Sequence, residues 1–239
     1  MRRRRLIALG LAILSGGCAR QSGSRVTTAT HGICRVHARG DGGVFGKTGK
    51  GSGALMNERY VLTAAHNILD YELGTVGSVE VDGSTAKGWK VARRYRTNQK
   101  SGRFQKSDLE LLEADFGFID LGPEASKQTG FRMVPFEESS ISVGRTVQVA
   151  GYPLGGPLVT GAGRITQVHE LFFGYDVRTE KGMSGAPVWL ERGGQKWLVG
   201  IHLGSDLVGI EGAVARRIDR GLLQDWDRWK DENSKVNDR

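Results

Sequence analysis

Short runs of β-branched and aromatic residues, each broken off by glycine, fill most of this 239-residue chain, which carries 36 glycines. Glycine weakens helix interiors but serves tight turns at little steric cost, so the pattern predicts an all-β fold of many short strands. Twelve strands are expected, at 32–38, 51–56, 60–64, 78–81, 87–93, 116–121, 145–151, 161–168, 171–177, 186–190, 197–202 and 212–215. Twelve suit two six-stranded antiparallel β-barrels, spanning 31–122 and 143–216, with the proline-bearing, charged stretch 123–142 as linker. Helical periodicity is confined to the end, where Leu222, Leu223, Trp226 and Trp229 fall on one stripe. Residues 217–230 are expected to form a helix packed on the second barrel, and 231–239 a disordered tail.

The other end reads as an export signal. Arg2 to Arg5 precede the apolar run from Leu6 to Leu14 and the small residues Ser15, Gly16 and Gly17. That run is too short to cross a bilayer, which takes about 20 apolar residues. Leu14-Ser15-Gly16-Gly17-Cys18 resembles a bacterial lipobox, which implies that residues 1–18 end at a lipidated Cys18. Residues 19–30, small and polar, would tether the folded part to the membrane, placing it in the cell envelope, or in the medium if Cys18 is not acylated. Cys34 is then the one remaining thiol, so packing rather than an intrachain disulfide must hold the fold. The net charge of +8 includes the four signal arginines; the rest has 34 − 4 = 30 cations against 26 anions, or +4. These cations are scattered except at Arg93-Arg94-Tyr95-Arg96, a pattern that makes no case for nucleic acid.

Chemistry concentrates in three strings: Thr63-Ala64-Ala65-His66, Asp115-Phe116-Gly117-Phe118-Ile119 and Gly182-Met183-Ser184-Gly185-Ala186-Pro187. A serine hydroxyl is a weak nucleophile at neutral pH and needs a base in reach, a group orienting that base, and donors for the oxyanion. His66, Asp115 and Ser184 supply the first three parts, and the N–H groups of Gly182 and Ser184 the last. Asp115 opens an apolar run, which is costly unless the carboxylate has a partner such as the His66 ring. Asp108, in a polar loop, and Asp120, assigned the strand parity opposite to Phe118 and therefore solvent, are the weaker alternatives. Position 186 is alanine, which excludes a Gly-x-Ser-x-Gly elbow, and the order His, Asp, Ser fits the chymotrypsin arrangement rather than subtilisin or the α/β-hydrolases.

Over residues 30 to 220 these strings, with Gly151-Tyr152-Pro153 and Val199-Gly200-Ile201-His202, resemble the trypsin-like (chymotrypsin-fold) serine endopeptidases, and among them bacterial members near the glutamyl endopeptidases. The resemblance implies His66 as general base, Asp115 as its orienter and Ser184 as nucleophile of an acyl-enzyme. It implies a primary specificity pocket lined by His202, Leu203, Gly204 and Ser205, with substrate pairing along that strand. Thr179 and His202 match the residues with which glutamyl endopeptidases meet an acidic P1 side chain, which implies preference for Glu or Asp. Protein or peptide substrates and a monomeric enzyme without metal or cofactor are expected. A catalytically silent homologue kept as a cell-surface binding module is the alternative, and an esterase the weaker one.

Two near-motifs carry no chemistry. Asp41 to Thr48 approaches a P-loop, but Asp41 stands where glycine is required and no helix pattern follows, so a hairpin loop is expected. His31, His37 and His169 are too dispersed for a metal site, and Trp89, Trp189 and Trp197 lie in strand-like runs that suit packing. One departure from the family matters. Trypsin-like members that mature by cleavage have, before the nucleophile, an aspartate that receives the new N-terminus; here Met183 stands there. The site should therefore form without propeptide removal, and cutting at Arg25-Val26 should leave the activity of the purified precursor within a few-fold.

Overall fold

The computed structural model describes residues 32–40, 48–69, 77–95, 109–123, 130–139 and 141–237. The signal, the lipobox with Cys18, the tether, Arg25-Val26, His31, most of the 41–48 string and Asp108 lie outside them.

Two seven-stranded sheets carry the chain. The first holds β1 (Ile33–Arg39), β2 (Thr48–Leu55), β3 (Tyr60–Thr63), β4 (Ser78–Val81), β5 (Ser84–Thr85), β6 (Gly88–Val91) and β7 (Gly117–Asp120), in the order β5-β4-β1-β2-β3-β7-β6. Its two edges meet at one corner: the Ala86 N–H donates to Val79 and the Lys87 N–H to Asp120. The second holds β8 (Arg132–Met133), β9 (Thr146–Gly151), β10 (Val159–Val168), β11 (Phe172–Tyr175), β12 (Pro187–Arg192), β13 (Gln195–Leu207) and β14 (Ile210–Arg217). Its order is β12-β9-β10-β11-β14-β13-β8, and β12 also pairs with β13, which closes six strands into a barrel. The seventh strand of each sheet is a two-residue piece too short to show periodicity. One of them, β8, pairs in parallel with β13 and comes from the stretch read as linker.

Apolar residues of the strands and of the turn after β3 fill both barrels. Val147, Val149, Ile165, Phe173, Tyr175 and Val188 fill the second barrel, while Val36, Leu55, Val61, Leu62, Ile68 and Ile119 fill the first. Cys34 is fully buried on β1, where burial and the Asp82 carboxylate push its thiol pKa up. Trp189 is buried, and Trp89 and Trp197 pack against the core.

Three readings need correction. Asp120 does not face solvent. It lies two residues from Phe118, hence on the same strand face, and it is buried with both carboxylate oxygens 2.6 Å from the Arg59 guanidinium. The final helix reaches beyond the second barrel, on which it was expected to pack. Helix α2 (Arg220–Asn237) runs beyond Lys230, where a disordered tail was expected, and lays Trp226 and Trp229 on Tyr60 and Phe118 of the first barrel, with ring centroids 5.1–5.4 Å apart. Lys90 pairs with Glu232 at the far end of the same contact. Finally, Asp115 follows a short helix, α1 (Leu109–Glu113), absent from the strand pattern.

Truncating a buried Trp removes its transfer energy and leaves a cavity. Trp229→Ala should lower stability by about 3–5 kcal/mol in urea denaturation, with the loss shared by Phe118→Ala rather than added to it, because the two rings stack on each other.

Candidate active site

Strand register brings the first two residues together. β3 and β7 are antiparallel, with Thr63 opposite Gly117, so the chain leaving β3 meets the chain entering β7. His66 sits three residues beyond β3 on a 3-10 turn, Ala65–Asn67, and Asp115 two residues before β7. Both carboxylate oxygens are used by the histidine: its Nδ1–H donates to Asp115 Oδ2 at 2.6 Å, and its backbone N–H to Oδ1 at 3.0 Å. The Asp115 side chain is 2% exposed and His66 19%, so the carboxylate is desolvated while the ring reaches the cleft.

The third residue arrives by the same logic in the second barrel. β12 and β13 pair from Pro187 opposite Ile201, so Ser184, ahead of β12, lies beside Leu203, beyond that pair. The Gly185 N–H donates to the His202 carbonyl at 2.7 Å, and the Ser184 hydroxyl to the Leu203 carbonyl at 3.1 Å. A cleft of about 600 Å³ joins the two halves, lined by His66, Asp115, Ser184 and Gly182 together with Thr179, His202, Leu203, Gly204 and Ser205. All the residues singled out from the sequence, Cys18 aside, thus share one cleft.

Between Glu180 and Ser184 every carbonyl accepts a hydrogen bond. Glu180 receives Met183 N–H, Lys181 receives Leu154 N–H, Gly182 receives Ser52 Oγ, Met183 receives Ala186 N–H, and Ser184 receives both Ser52 N–H and Asn67 Nδ2. In a trans peptide the N–H points opposite to the preceding carbonyl. Holding Lys181 and Met183 C=O away from the cleft therefore turns the Gly182 and Ser184 N–H groups toward it. Neither N–H has an acceptor among the described residues. The turn needs Gly182 at φ +96° and Gly185 at φ +81°; a Cβ on the first would overlap Leu154 N, and on the second Ser52 O. Met183, 1% exposed, anchors this loop by packing among Val147, Val149 and Ala186 in the second core.

At the pocket end, Thr179 Oγ1 and Ser205 Oγ lie 3.1 Å apart. Behind them His202 is buried, its Nδ1 2.8 Å from the Tyr175 hydroxyl. Burial, with His66 adding to it, pushes the His202 pKa down to about 3 against a weaker upward pull from the Val214 carbonyl. The Tyr175 hydroxyl is pushed up by burial. Past Ile201, the edge of β13 that pairs with β12 has no strand partner among the described residues along Leu203 to Ser205, where an extended peptide could pair. Tyr175, Ser52, Asn67, and Leu111, Leu112 and Leu207 on the cleft wall were not singled out from the sequence. Ser52 between two glycines and Asn67 beside His66 are the only local signals they leave.

A trypsin-like peptidase domain model matches residues 51–201, more than half of the chain and all three of His66, Asp115 and Ser184. The chain belongs to the trypsin-like peptidase family. No curated protein matches the sequence. Among solved structures, a Glu endopeptidase superposes with a TM-score of 0.61 at 16% identity, over 87% of this trypsin-like chain and 94% of its own. A thermostable serine protease, AL20, from an extremophilic microorganism gives 0.60 at 16%, over 81% and 94%. An inactivated protease paralogue of the scabies mite gives 0.59 at 16%, over 87% and 97%. At such identities the likeness is one of fold: two β-barrels with a C-terminal helix, chymotrypsin-like.

The buried His202 also sets a pH dependence. An unfolded histidine takes up its proton near pH 6.5, whereas folded His202 resists until about 3. Between these values the unfolded chain binds more protons, so stability is fully present above the window and falls as pH drops through it. Urea midpoints measured from about pH 7 to about pH 4 should fall, and fall less steeply in His202→Gln.

Proposed function

We propose that this trypsin-like chain is a serine endopeptidase that acts through an acyl-enzyme on Ser184. The observation that carries the reading is the pair of hydrogen bonds from His66 to the buried Asp115 in the same cleft as Ser184 and the two inward N–H groups. A substrate strand laid along Leu203 to Ser205 takes over the Leu203 carbonyl, and the Ser184 hydroxyl turns to His66. Ser184 Oγ then attacks the scissile carbonyl as His66 Nε2 takes its proton, and Asp115 stabilises the imidazolium. The oxyanion sits between the Gly182 and Ser184 N–H groups. His66 returns the proton to the leaving amine as the C–N bond breaks, and water repeats the sequence to free the acid and Ser184.

For the P1 side chain we propose glutamate or aspartate. The Thr179 and Ser205 hydroxyls offer donors at the pocket end, and Lys50 and Lys181 on the same cleft stand against Glu180 and the His66-bound Asp115. Neutral His202 adds no charge and stands behind the pocket, engaged by the Tyr175 hydroxyl and the Val214 carbonyl. A Glu endopeptidase among the superposable structures agrees with this choice. We further propose export with a lipid anchor at Cys18, and a preformed site, since Met183 holds the loop by packing.

A fluorophosphonate probe should label Ser184 in the wild type and neither Ser184→Ala nor His66→Ala. Folded wild type that takes no label supports a binding module instead. Asp115→Asn should lower kcat by about 10⁴-fold at neutral pH, because the ring is then held in the wrong tautomer. In a peptide library, cleavage should follow Glu or Asp; dominant cleavage after Arg, Lys or Leu overturns the assignment.

A further inference from the structure

Gly182 and Ser184 lie in the second barrel's loop, yet three of the bonds that hold their carbonyls come from the first barrel. Ser52, on β2, is fully buried and supplies two of them: its N–H donates to Ser184 O at 2.8 Å and its Oγ to Gly182 O at 3.0 Å. The same Oγ accepts the Tyr152 N–H at 2.9 Å, so one hydroxyl also ties in the 152–154 turn whose Leu154 N–H orients Lys181. Asn67, next to His66, supplies the third bond, from Nδ2 to Ser184 O at 2.7 Å. Its amide is braced by Thr63, whose Oγ1 accepts from Nδ2 at 3.0 Å and donates to Ser52 O at 2.7 Å. A Cβ at position 51 would overlap the Asn67 amide, and one at 185 would approach its Nδ2, so two glycines form the slot it fills.

We infer that Ser52 and Asn67 are positioning residues for the oxyanion donors, a neutral hydrogen-bonded lock that crosses the barrel interface and holds the loop where Met183 offers no charge. Their carbonyl partners, Gly182 O and Ser184 O, fix the two peptide planes that flank the Met183–Ser184 peptide, which carries the Ser184 N–H. Ser52 is fully buried and Asn67 4% exposed at the cleft wall, so both act through the loop they hold. Because Asn67 follows His66 directly, the lock also fixes the base and the nucleophile relative to each other. The inference rests on the proposed peptidase reading.

The test uses the full chain with Ser52→Ala and Asn67→Asp; the second keeps the volume but sets an acceptor against the Ser184 carbonyl. Deleting an oxyanion donor costs about 100- to 1,000-fold, so loosening the pair should lower kcat about ten- to a hundred-fold while KM stays within about three-fold. Amide exchange at Met183, Gly185 and Ala186 should quicken in both variants, with the strands β9 and β12 unchanged. If Asn67→Asp does not fold, Asn67→Ala removes the donor without adding charge. Unchanged kcat in a folded variant, a rise in KM alone, or exchange that quickens equally across β9 and β12 overturns the assignment. Wild type that does not react with a fluorophosphonate sinks the peptidase reading instead; exchange at the three amides then decides the lock by itself.

Discussion

A carboxylate taken out of water costs several kcal/mol unless its lone pairs are met, and Asp115 is met by one residue twice. That double contact imposes a condition on the whole first barrel. The backbone N–H and the ring of His66 can reach the same carboxylate only if β3 ends where β7 begins, and the Thr63–Gly117 pairing puts them there. A one-residue slip would reverse the faces of β3 and strand the charge. The packing of Val61, Leu62 and Ile119 therefore does chemical work at a distance, by keeping the register in which His66 meets both oxygens of Asp115.

The second barrel solves a different problem with different means. Its contribution is a row of backbone dipoles, which must be aimed before charge develops if they are to help a reaction. The aiming is done through the carbonyls of Glu180 to Ser184, with the apolar Met183 as ballast beneath. Charge enters this barrel elsewhere. Arg216, buried on β14, donates to the Glu113 carbonyl at 2.8 Å and pairs with Asp219 at 2.9 Å, so a cation braces the chain two residues before Asp115. Burial pulls its pKa down while Asp219 opposes the shift.

Much of this was readable from the chain. All twelve expected strands coincide with observed ones, because glycine punctuation and alternation are local signals. The candidate residues could be found because each sits at the end of such a run, where register rather than sequence distance decides who meets whom. What escaped was non-local. Nothing near Asp120 announces Arg59, although counting two residues from Phe118 would have placed it inside. The stripe on α2 showed that a face is buried but not against which barrel. Ser52 and Asn67 look like ordinary polar residues until β2, β3 and the 180–184 loop are brought within hydrogen-bond reach.

The aromatic contact of α2 has a bearing on when the molecule comes into being. Tyr60 and Phe118 occupy the first half of the chain, but the rings that cover them are at 226 and 229. During synthesis the amino-terminal barrel can collapse early, yet its outer wall stays bare until Trp226 and Trp229 have been made. Long-range closure of this kind slows folding, since loop entropy is lost before the contact is gained. The half of the cleft that carries His66 and Asp115 reaches its full stability only once α2 has docked.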